Sequence, residues 1–114
     1  MSILKSTHSG SIRYWEHILT ERGYYKHSKY PNAYVHPYDQ SEYRLPEDVI
    51  NFDDNLATVY VVVGNWGRRV QVIDTKHLDM IEEYWRYRRD WTNSSSVNHE
   101  KWLGNEIIKY ADTH

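Results

Sequence analysis

Cysteine is absent from all 114 residues, which removes disulfide staples and thiolate chemistry from consideration. Phenylalanine occurs once, so the core cannot be built on it. Proline occurs three times and glycine five times, scattered through the chain, and no phosphate loop, dinucleotide fingerprint or nucleophile elbow can be assembled from them. Long apolar runs are missing too. The longest, VYVVV at residues 59–63, falls far short of the roughly 20 residues that a membrane-spanning helix needs. The opening stretch MSILKSTHSGSIRYW has no apolar run of signal-peptide length, so a cytoplasmic protein without membrane attachment is expected.

What fills the chain instead is rings with polar tips: eleven tyrosines and five tryptophans. Such rings bury large areas, but each hydroxyl or indole N–H needs a partner or water. The stretch GYYKHSKYPNAYVHPYDQSEY (residues 23–43) concentrates six of the tyrosines. Charge is uneven although its sum is only −2. Residues 1–38 carry five basic and two acidic groups, whereas residues 39–54 carry six acidic groups against Arg44 alone. A uniformly basic nucleic-acid wrapper is therefore not expected.

The length fits one domain spanning residues 1–114, and no repeat or linker divides it. Ile12, Trp15, Ile18 and Leu19 recur at helical spacing, predicting a helix over residues 11–22 with Gly23 as its left-handed cap. Pro31 and Asn32 signal a hairpin, with Ala33, Val35 and Pro37 on one face and Tyr34, His36 and Tyr38 on the other. Residues 45–48 (LPED) read as a short helical turn and residues 53–55 as a loop. Residues 57–63 and 68–73 read as two strands around the turn Gly64-Asn65-Trp66-Gly67. Val59, Val61, Val63, Val70 and Val72 belong to its core face. Asp74 or Thr75 caps a helix running to about Trp91, with Leu78, Ile81, Trp85 and Arg88 in line. A last helix covers residues 97–111, with a stripe of Leu103, Ile107 and Tyr110 and Trp102 beside it. The expected architecture is α+β: an antiparallel sheet of two hairpins with three helices packed on one side.

No catalytic set, cofactor or metal site is expected. Metal ligands come as three or four converging groups, and His27, His36 and Asp39 would need strand pairing to meet. Tyr, Trp and Arg dominate protein-binding hot spots because they bury area with few rotors. The favoured expectation is therefore a non-enzymatic module that binds another protein, of the accessory or inhibitory type that phages direct at host enzymes. Its surface would be Tyr24, Tyr34, His36, Tyr38 and Trp66, beside an acidic loop containing Asp53 and Asp54. The same aromatic faces could close a homodimer. A second expectation is nucleic-acid binding through Arg68, Arg69, Arg86 and Arg89 among neighbouring rings. A third is a small metal-dependent or carboxylate-based hydrolase.

Overall fold

The computed structural model describes residues 6–30, 32–37, 49–54, 58–64, 67–89 and 94–113. They form an α+β fold: helix α1 (Ser6–Glu21), strands β1 (Tyr25–Lys26), β2 (Ala33–Val35), β3 (Ile50–Asp53), β4 (Thr58–Val63) and β5 (Arg68–Gln71), then helices α2 (Thr75–Arg89) and α3 (Ser94–Thr113). The strands make one antiparallel sheet in the order β1-β2-β3-β4-β5. The chain divides into two compact units, residues 1–62 and 63–114.

In the first unit, α1 stops where the sequence places its cap. Gly23 has φ 90°, Tyr24 N–H donates to Leu19 O at 2.9 Å, and Gly23 N–H to Thr20 O at 3.0 Å. These two bonds are a Schellman closure, which satisfies carbonyls that the helix end would otherwise leave open. Trp15 and Leu19 are buried from this helix, as their spacing requires.

The turn between β1 and β2 is held by a histidine. His27 is buried, its N–H donates to Ala33 O at 2.9 Å, and its Nδ1 accepts the N–H groups of Lys29 (2.9 Å) and Tyr30 (3.2 Å). The ring thus does for this loop what an Asn or Asp side chain does in a tighter turn.

The two-hairpin expectation needs correcting, because the sheet contains a fifth strand. Ile50-Asn51-Phe52-Asp53 pairs with both neighbours, Ala33 facing Asn51 on one side and Phe52 facing Val59 on the other. Its burial alternates, Ile50 and Phe52 in, Asn51 and Asp53 half out. Four residues are too few for a persuasive period, and the Asp53-Asp54 turn signal disguised the strand as loop. Asp53 is in fact its last residue. The register puts Tyr34, Ile50, Phe52 and Val59 on one face, and Ala33, Val35 and Val49 cluster on the other.

In the second unit, Asp74 caps α2. Its Oδ1 accepts His77 N–H at 2.9 Å and its carbonyl accepts Leu78 N–H at 3.0 Å. Leu78, Ile81, Tyr84 and Trp85 are buried from α2 and Leu103 and Ile107 from α3, so the two helices share an apolar seam. Helix α3 begins three residues earlier and ends two later than its apolar stripe indicates. Strand β5 ends at Gln71, before Val72 and Ile73. The expected turn at residues 45–48 lies outside the described residues. Among those described, no helix is long and apolar enough to cross a membrane.

Candidate functional site

The aromatic surface expected on the first unit is largely sealed. Tyr24 retains 5% of its exposure and Tyr34 6%. Tyr34 stacks on Phe52 with ring centroids 5.0 Å apart, and its hydroxyl points at Glu16 Oε2 of α1 at 3.5 Å. That distance is long for a hydrogen bond, so the contact is chiefly electrostatic. Burial, then the nearby Glu16 charge and its hydrogen bond, push the Tyr34 phenol above its ordinary value. Tyr24 meets His36 edge to face at 5.0 Å. These rings are core and cross-strand packing, because a sheet face covered by a helix leaves no half-wet side for phenols to occupy. His36 and Asp53 are half-buried and Asp54 is exposed. Tyr38 and Trp66 lie outside the described residues, as does Asp39. The exposed rings of residues 23–37 are Tyr25 and Tyr30 instead.

The arginines do not gather into one site. Arg68 and Arg69 are exposed on β5, where Arg68 Nη2 lies 3.6 Å from Asp112 Oδ1. Arg86 is exposed on α2; the side chain of Arg89 lies outside the described residues. Among the described residues no three His, Asp or Glu side chains converge to hold a metal.

The second unit presents two features that the sequence reading missed, both on the α2–α3 pair. One is a cleft of about 310 Å³ with a floor of Val63, Tyr84, Gly104 and Ile108 and a rim that includes Glu100, Lys101 and Asn105. Gly104 lets α3 come close here, since a Cβ on it would sit 3.3 Å from Tyr84 Cε1 and 3.4 Å from Val63 Cγ1. The Tyr84 hydroxyl accepts Gly64 N–H at 3.2 Å and faces Arg88 Nη1 at 3.4 Å. Arg88 in turn reaches Glu100 at 3.6 Å and lies over the Tyr84 ring at 5.6 Å. The cleft wall is thereby fixed by Gly64, just after β4, and by partners on α2 and α3. A glycine inside a run of good helix formers was the available clue, because it costs about 1 kcal/mol there unless close approach requires it.

The other feature is an aromatic shelf. Trp102 is 54% exposed in the middle of a 20-residue helix. His99, one turn earlier, lies 5.4 Å from the Trp102 ring and 4.3 Å from Tyr87 of α2, and its Nε2 is 3.9 Å from Glu83 Oε1. Trp102 falls off the Leu103, Ile107 and Tyr110 stripe, which is why it is left facing outward.

No protein-family model matches the chain, and no match was found among curated proteins or solved structures.

Proposed function

We propose that this chain is a non-enzymatic binding module that engages a protein partner, and that the α2–α3 pair carries the contact. The observation behind this reading is Trp102, a half-exposed indole on a regular helix that also lines an apolar-floored cleft. Tryptophan is enriched among the hot spots of protein interfaces, since covering an indole removes a large apolar area from water at little entropic loss. The cleft is at the small end of the roughly 300–1,000 Å³ that ligand pockets occupy, and it suits one bulky side chain of a partner. An accessory or inhibitory role fits a chain whose chemistry lies in recognition. On the first unit, the exposed Asp54 would offer a further contact.

The nucleic-acid alternative draws less support. Arg68 already faces the Asp112 carboxylate, and a phosphate would have to compete for it.

The reading is tested by capture from nuclease-treated lysate with the wild-type chain and Trp102→Ala, followed by titration of the captured protein. Trp102→Ala should weaken binding by about 2 kcal/mol or more while leaving helix content unchanged. Equal binding by both chains would refute it.

A further inference from the structure

The shelf on the α2–α3 pair has a chemistry more specific than apolarity. Two rings and one carboxylate meet around His99: Tyr87 at 4.3 Å, Trp102 at 5.4 Å and Glu83 Oε1 at 3.9 Å from Nε2. Ring faces of Trp and Tyr attract cations through their quadrupoles, and a carboxylate at the edge fixes where the charge settles. Two of the neighbouring cations have their own counter-ions. Arg88 lies 3.6 Å from Glu100, and Lys109 lies 3.6 Å from Glu106, one turn beyond Trp102. Lys101 is on the rim of the cleft. Glu83 is set against a histidine at a distance longer than a hydrogen bond, and the Glu83 side chain keeps nearly half its exposure.

We infer that the Tyr87, His99, Trp102 and Glu83 cluster is a seat for an arginine side chain presented by the protein partner. The guanidinium plane lies over the Trp102 indole and donates to the Glu83 carboxylate. Arginine suits the seat better than lysine, because a planar, weakly hydrated fork stacks on rings and donates in pairs to a carboxylate, whereas an ammonium holds its water. The inference rests on the partner-binding reading above and narrows it to a basic segment of that partner.

The test uses the full chain with nitrogen-labelled tryptophan and a short blocked alanine peptide carrying one arginine. The control peptide carries glutamine in place of the arginine. The Trp102 indole resonance, assigned from its loss in Trp102→Leu, should shift with the arginine peptide and stay still with the control. Glu83→Gln should weaken the arginine peptide by up to about fivefold, the range an exposed ion pair supports. A lysine peptide should bind more weakly than the arginine one. An unmoved indole, an equal response to glutamine, or indifference to Glu83→Gln would overturn the inference. Partner capture lost in Trp102→Ala, with no arginine response, would leave the binding-module reading standing and remove only the arginine seat. Arginine binding with partner capture unchanged in Trp102→Ala would overturn both, because the partner would then not use the seat.

Discussion

Tyr110 near the end of α3 donates its hydroxyl to the carboxylate of Asp74, 2.7 Å from Oδ2 and 3.0 Å from Oδ1, while that same carboxylate caps α2 through His77 N–H. One aspartate therefore closes the start of one helix and holds the end of another. Asp74→Ala should destabilise the chain by about 1 kcal/mol for the lost cap, and by more if the Tyr110 bond adds to it. Urea unfolding of Asp74→Ala, Tyr110→Phe and the double variant checks this. The two single effects should sum to more than the double effect, as expected for residues that share one bond.

His77 is fully buried, and its tautomer is fixed by its partners. Nδ1 faces the N–H of Ile73 at 3.1 Å, which can only donate, so Nε2 carries the proton toward Ile107 O at 2.9 Å. The ring also stacks on Tyr110 with centroids 4.7 Å apart. His77→Leu keeps the bulk but removes the partner of one part-buried donor and one buried acceptor. It should cost about 2–5 kcal/mol, read from the shift in denaturation midpoint.

Alkaline pH should erode stability through two phenols. The hydrogen bond to Asp74, then burial and the Asp74 charge, raise Tyr110; burial, then Glu16, raises Tyr34. A folded value above the unfolded one means the native state holds its proton more tightly. The contribution is therefore complete below about pH 10 and is lost as pH rises through the folded values. Unfolding midpoints measured from neutral pH into this alkaline range should fall, and fall less in the Tyr34→Phe and Tyr110→Phe variants.

Gly104 should tolerate a small replacement and resist a large one. Gly104→Ala gains helix propensity of about 1 kcal/mol, offset by a Cβ pressed to 3.3–3.4 Å from Tyr84 and Val63, so a change near zero is expected. Gly104→Leu overpacks the same spot and should cost about 1–3 kcal/mol while filling the cleft. Thermal melts distinguish the two.

Several elements were legible in the sequence because local signals agreed. Gly23 after a helical period gave the end of α1, Asp74 gave the start of α2, and the alternation from Val59 to Val63 gave β4. Strand β3 was hidden because four residues flanked by turn formers carry little period, and only its two neighbours define it. The site was less legible for a related reason. Tyr24 and Tyr34 share composition with a binding surface, but exposure is decided by what covers them, and Glu16 of α1 sits against the Tyr34 hydroxyl. The exposed Trp102 was detectable from its angle off the α3 stripe. Its grouping with Tyr87, His99 and Glu83 required the pairing of two helices.

The order of strands β1 to β4 has a kinetic consequence. Each pairs with the strand next to it in sequence, so every closure spans a short stretch of chain and none waits for a distant segment to arrive. Assembly by successive zippering from the hairpin around His27 should therefore be rapid. A circularly permuted chain opened between β2 and β3 would have to pair the strands at its two new ends across the whole chain, and would refold more slowly.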